Sequence, residues 1–208
     1  MKKYVITEAQ LKLVKGKLEE SNLRSYVFDW DDNILYMPTT IKMDVSTSGG
    51  WEPIDVSTED YSKVRTDSNY RLRDNDPELA FKDFRSSESF IRDIRRAVNN
   101  KRFAPSYDKF KEALIFANPF GINTARSHKP QALRDGVKFF IEITFSEEEK
   151  KKMVDNIKNN IRSTRELTDE QTIDFYLDEM GEYYPVSSKE FGERFGIDTK
   201  LTAANPEH

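Results

Sequence analysis

Tyr26-Val27-Phe28 runs directly into Asp29-Trp30-Asp31-Asp32-Asn33. Aromatic and β-branched residues favour a strand. A buried strand that stops at a cluster of carboxylates fits an α/β protein, whose sites sit at the carboxyl ends of sheet strands. The segment predicts a site immediately after residue 28, and the rest of the chain must supply the sheet and the helices around it.

Helix and strand signals follow in the order such a fold needs. Thr7 with Gln10 forms a capping box for a helix over residues 7–20, with Leu11, Val14 and Leu18 at helical spacing. Residues 87–99 carry Phe90, Ile91, Ile94 and Val98 on one face. Residues 106–117 turn Phe110 and Leu114 inward, and Phe120 to Thr124 is a strand. Pro130 opens a short helix that Gly136 ends, before an apolar strand over residues 137–143. Ser146 with Glu149 caps a long helix carrying Met153, Ile157 and Ile161, and residues 187–196 read as a final helix before a loop tail. Residues 169–180 allow two readings. Either Thr168 with Gln171 caps one helix that Gly181 ends, or Phe175-Tyr176-Leu177 is a strand tipped by Asp178 and Glu179.

Residues 36–105 interrupt this alternation. Thr40 to Val45 alternates like a half-exposed strand, Ser46 to Gly50 is a turn, and Trp51 to Val56 can return as the partner strand. Ser57 caps a short helix, while residues 65–77 are polar and aperiodic and read as loop. The division expected is a main domain from residues 1–35 and 106–208, with residues 36–105 inserted as a cap.

Composition narrows the chemistry. Fourteen Phe and nine Tyr support a packed core. The absence of cysteine removes thiolate nucleophiles, disulfides and Cys-ligated zinc, and two histidines, His128 and His208, make a zinc centre an unsuitable reading. No glycine-rich Walker loop is present. A net charge of −4 gives no general attraction to nucleic acid or anionic lipid, so nucleic acid is not an expected partner. No apolar run approaches the roughly 18 residues of a membrane span, and no signal-like core follows Lys2-Lys3. A soluble, cytoplasmic protein is expected.

Asp29 and Asp31 stand two apart after a strand and can share a face. Paired carboxylates suit Mg²⁺, a hard cation with oxygen ligands. They also suit divided labour, one attacking phosphorus while the other exchanges a proton with the leaving oxygen. The plainer reading is an acidic turn. Thr124, at the end of its strand, can bind an anion or cap the next helix, and Arg126 can contact phosphate or pair with an acid. Trp51, Tyr61 and Arg71 are conceivable substrate contacts in the insertion, with packing the simpler role for the aromatics. His128 reads as a solvated loop residue that could reach substrate.

Tyr-Val-Phe-Asp-Trp-Asp-Asp-Asn-Ile-Leu, over residues 26–35, resembles the first motif of haloacid dehalogenase-like (HAD) phosphatases, with Asn33 where that family usually has Thr or Val. Phe120-Gly121-Ile122-Asn123-Thr124-Ala125-Arg126 resembles its second motif. The resemblance covers residues 23–145, and the motif wording with a Lys-, Asn- and Asp-rich composition is similar to HAD-like proteins of bacteria and their phages. It implies a three-layer α/β, Rossmann-like domain with a mostly parallel sheet and a cap-like insertion. It implies an Mg²⁺-dependent phosphatase acting on a phosphorylated small molecule or nucleotide-like substrate. Asp29 would be the nucleophile, Asp31 the acid/base, Thr124 and Arg126 the phosphate-binding residues, and Asp29 with Asp31 the metal ligands. The family also uses a Lys or Arg beside the phosphoaspartate and a later pair of acids. Lys150, Lys151 or Lys152 with Asp178 and Glu179 could supply these, or the 208 residues lack them. The alternative is a non-catalytic HAD-fold module with a binding or structural role.

Overall fold

A computed structural model of the chain describes residues 24–196. The helix expected over residues 7–20, the loop tail and His208 lie outside the described residues. The chain is α/β. Strands β1 (Tyr26–Phe28), β5 (Phe120–Thr124) and β6 (Gly181–Pro185) form a parallel sheet in the order β1-β5-β6. Strands β2 (Ile41–Thr47), β3 (Gly50–Val56) and β4 (Tyr70–Leu72) form an antiparallel sheet in the order β3-β2-β4. The helices are α1 (Thr58–Val64), α2 (Pro77–Ala80), α3 (Ser87–Asn99), α4 (Tyr107–Ile115), α5 (Pro130–Thr144), α6 (Glu147–Asn160), α7 (Asp169–Glu179) and α8 (Lys189–Phe195).

Each sheet has its own core. Around the parallel sheet, Phe28 and Trp30 pack with Phe90 and Ile94 of α3, Phe110 of α4, Phe140 of α5, Met153 and Ile157 of α6, and Tyr176 and Leu177 of α7. Against the antiparallel sheet, Ile41, Met43 and Val56 pack with Tyr61, Phe81 and Phe84. Thus α3 lies in the first core, while residues 41–84 build the second. Asp44, buried in β2, is satisfied by Arg73 at 2.8 Å, Arg71 at 3.2 Å and the Asp74 amide at 3.1 Å. This arrangement ties the polar segment after α1 to the sheet.

The capping boxes at Ser146/Glu149 and Thr168/Gln171 form as the sequence predicts, and Ser57 caps α1. Residues 169–179 are helical, which decides between the two readings of that segment. The expectation for residues 130–143 is corrected. Gly136 does not end a helix and residues 137–143 are not a strand, because α5 runs unbroken from Pro130 to Thr144. Its buried residues, Ala132, Leu133, Gly136, Val137, Phe140 and Ile141, follow helical spacing. Gly136 serves packing: the Phe90 ring of α3 occupies the space its Cβ would fill. The third parallel strand comes instead from β6, a segment for which the sequence pattern predicts no element. Short β4 and a 3-10 turn at Arg73–Asn75 interrupt the expected loop over residues 65–77. No helix among the described residues is long and apolar enough to cross a membrane.

Candidate active site

The inside–outside alternation of β1 continues past the strand's last hydrogen bond. Phe28 and Trp30 are buried, Trp30 completely, whereas Asp29 is accessible to solvent and Asp31 is half-buried. The Trp30 indole meets Phe90 edge-on at 5.0 Å, with Phe110 and Phe140 at 6.2 and 6.4 Å. Apolar burial of one indole therefore fixes the loop that presents the carboxylates on either side of it. The loop closes on itself through the Ile34 and Leu35 amides, which both donate to the Trp30 carbonyl, and through the Asp32 amide, which donates to the Leu35 carbonyl. Asp32 takes a left-handed φ of 57°, a conformation Asp tolerates better than most residues.

Because Phe28 pairs with Ile122, β1 and β5 end at the same sheet edge, and Thr124 stands beside the carboxylate loop. Asp29, Asp31, Asp32, Thr124 and Arg126 line one cleft of about 280 Å³, whose opposite wall comes from the insertion, chiefly Thr58, Tyr61, Ser62, Arg65, Phe81 and Phe84. The sequence-predicted residues are thus brought together. The Thr124 hydroxyl accepts the Arg126 amide at 3.3 Å and does not cap α5, whose N-cap is Lys129.

Arg126 is the organising cation. It is 1% exposed, and its Nε and Nη2 donate to the two oxygens of Asp31 at 2.7 Å each. Nη2 also donates to the Thr39 hydroxyl at 2.8 Å, and that hydroxyl donates to buried Asp93 of α3 at 2.8 Å. Phe84 and Phe90 flank the guanidinium at 4.9 and 5.0 Å. Of the two readings of Arg126, the structure shows the pairing with an acid. Planar, bidentate pairing of this kind needs arginine, since a lysine offers one point charge.

His128 is not a solvated loop residue. It is fully buried against Phe90, with its Nε2 at 3.4 Å from Arg126 Nη1 and its Nδ1 without a hydrogen-bond partner. Burial first, and then the charge of Arg126, push its pKa down to about 4, so the ring is neutral. Asp29 goes the other way. Crowding of its carboxyl by protein raises the pKa to about 6; the Trp30 amide, donating at 2.6 Å, opposes this, and the charges of Asp31 and Asp32 add to it. An anion made costly in this way favours a partner that neutralises it.

Several expected participants lie elsewhere. Asp178 is held by Arg134 of α5 at 2.7 Å, and Glu179 ends α7 facing solvent. Lys150 and Lys151 line a larger groove of about 700 Å³ between α5, α6 and α7, whose walls are opposed charges. That groove contains none of the carboxylate-loop residues. Trp51 and Arg71 stack on each other at 4.4 Å outside the cleft, while Tyr61 faces it. Sequence reading missed Thr58, Ser62 and Arg65. Their spacing with Tyr61 is that of one face of a helix, and this was the available signal.

Among the described residues no group of three or more acidic or histidine side chains is gathered for a metal. Mg²⁺ keeps several waters and needs only one or two carboxylates, and Asp29, with its raised pKa, suits that requirement. Asp31 fits less well while Arg126 holds both its oxygens. Comparison of the chain with protein-family models, with curated proteins and with solved structures finds no match.

Proposed function

We propose that this chain is an Mg²⁺-dependent phosphatase of the HAD-like kind, with a three-layer Rossmann-like main domain and a cap built from residues 41–84 of the 36–105 insertion. The observation that carries this reading is the convergence of Asp29 and Thr124, from two separate motifs, on one cleft at the carboxyl edge of a parallel sheet. In the proposed reaction an Asp29 oxygen attacks phosphorus and the bond from phosphorus to the ester oxygen breaks. That oxygen takes a proton from Asp31, which must first leave Arg126 and take that proton up from solvent. Water then attacks the phosphorus of the aspartyl-phosphate, Asp31 recovers a proton from it, and the bond to Asp29 breaks, releasing inorganic phosphate. Thr124 orients the phosphoryl oxygens, while Arg126 positions Asp31 and must yield one of its oxygens for each proton transfer. A bound Mg²⁺, held by Asp29 with water completing its shell, would offset the charge shared by carboxylate and phosphate.

The test is hydrolysis of para-nitrophenyl phosphate with and without Mg²⁺. The expected result is metal-dependent turnover that Asp29→Asn abolishes. Turnover that survives in the variant, or none in either protein at any Mg²⁺ concentration, rejects the reading. The commitment of both Asp31 oxygens to Arg126 favours a second reading, a module that binds phosphorylated ligands without turning them over. Phosphate binding by a wild-type chain that hydrolyses nothing would support it.

A further inference from the structure

The insertion's wall of the cleft carries a specificity element. Residues 58, 61, 62 and 65 all line the cleft, and on α1 this spacing places them along one face. The Thr58 hydroxyl donates to Asp32 at 2.9 Å, which anchors the start of α1 at the carboxylate end. At about 1.5 Å per residue, the Cα of Arg65 lies about 10 Å further along the helix axis. Arg126, the other cation of the cleft, is committed to Asp31. Arg65 lines the cleft, is exposed to solvent, and makes no ion pair or side-chain hydrogen bond among the described residues. Between the two ends the wall is apolar and aromatic, with Tyr61 against Phe81 at 5.7 Å and Phe81 against Phe84 at 6.0 Å.

At about 280 Å³ the cleft lies at the lower end of small-molecule pockets, so the body of the ligand is small. With α1 anchored at Asp32 through Thr58, Arg65 stands about two helical turns from that carboxylate, along the wall of the same cleft. We propose, building on the phosphatase reading, that the substrate is a small phosphate monoester with a second anionic group, a carboxylate or a second phosphate. Arg65 binds that group, and the carbon body lies against Tyr61 and Phe81. An arginine is suited to this because its fork pairs bidentately with either anion.

The experiment is calorimetric titration of the full chain with phenylphosphonate and with para-carboxyphenylphosphonate, neither of which can be hydrolysed. Hydrolysis of the two matching phosphate esters is measured in parallel. The wild type is expected to bind the carboxylated compound about tenfold more tightly, the scale of one charge-assisted contact. Arg65→Gln should lose that preference and Arg65→Lys should keep part of it. A preference that is absent in the wild type, or unchanged in Arg65→Gln, overturns the inference, as does failure to bind either compound. The two readings separate cleanly. Hydrolysis of both esters without preference rejects the role of Arg65 and keeps the phosphatase. Preferential binding without hydrolysis of either ester rejects the phosphatase and keeps the Arg65 anion site.

Discussion

Arg126 holds both carboxylate oxygens of Asp31 at 2.7 Å, and it does so from a position that is 1% exposed. The same guanidinium reaches Thr39 and, through it, Asp93 of α3. One buried cation thus joins the carboxylate loop after β1, the segment after β5, the entry to the insertion and the helix that leaves it. Removing one partner of such a pair leaves the other charge buried and unsolvated, which costs far more than the pair contributes net.

Arg126→Gln should therefore destabilise the protein by about 3–5 kcal/mol, measured by urea denaturation. Asp31→Asn should cost less, because Asp31 keeps 15% of its side-chain surface in water and its amide replacement still accepts one bond from Arg126. The double variant should be less destabilised than the sum of the single ones, since neither charge is then stranded. Additive losses would show that the pair is not coupled.

Asp29 should lower stability at neutral pH. Its folded pKa of about 6 lies above the ordinary 3.8, so the folded state binds the proton more tightly than the unfolded one. The stability this supplies is complete below about pH 3.8 and is lost as pH rises through about 6. Asp29→Asn removes the penalty, and the variant should melt at a higher temperature than the wild type at pH 7 and lose that advantage near pH 4. Mg²⁺ should raise the melting temperature of the wild type more than that of the variant. A variant that melts lower than the wild type at pH 7 would contradict desolvation of the carboxylate as the origin of the shift.

His128 acts in the opposite sense. Its pKa is depressed from 6.5 to about 4, so its contribution is present above pH 6.5 and lost as pH falls through about 4, at a cost of up to about 3 kcal/mol. Between pH 4 and 6 the two groups oppose each other, which flattens the wild-type profile. The Asp29→Asn variant should expose the His128 slope as a steeper fall in melting temperature from pH 6.5 to 4. His128→Gln should remove that slope whatever its effect on stability at pH 7. An unchanged slope in His128→Gln would place the acid sensitivity elsewhere.

The site was more legible in the sequence than the scaffold behind it. Asp29, Asp31, Thr124 and Arg126 follow short apolar runs that fold as strands ending at a polar edge. The partner of Arg126 was not readable, because 95 residues separate it from Asp31 and either phosphate or acid satisfies a guanidinium. His128 misled because one imidazole among polar neighbours carries no sign of burial. Strand β6 was hidden by its own ends: Gly181 reads as a helix stop and Pro185 as a turn, leaving Glu182-Tyr183-Tyr184 with too short a pattern. The insertion's share of the cleft was hidden for another reason. Thr58, Ser62 and Arg65 are polar residues on a short helix, and only the sheet they pack beside decides whether that face meets solvent or a ligand.

Gly136 shows how a local rule fails when packing opposes it. A glycine followed by Val137-Lys138-Phe139-Phe140-Ile141 suggests a helix stop and then a strand, and an isolated helix would be stabilised by about 1 kcal/mol on replacing glycine with alanine. In the fold, α3 and α5 approach closely at residue 136, and the buried Phe90 ring fills the space of a Cβ. That ring also contacts Trp30 and His128 and flanks Arg126, so it has no free direction in which to move. Gly136→Ala should therefore lower stability, by about 1–3 kcal/mol as for other overpacked cores, in spite of its better helix propensity. The strain should pass through Phe90 to Trp30 and the carboxylate loop, so binding of phenylphosphonate should weaken as well. Pairing Gly136→Ala with Phe90→Leu should recover part of the stability by making room for the methyl group. If Gly136→Ala alone raises the denaturation midpoint, the close approach of α3 and α5 is wrong, and with it the reason why α5 continues through a glycine.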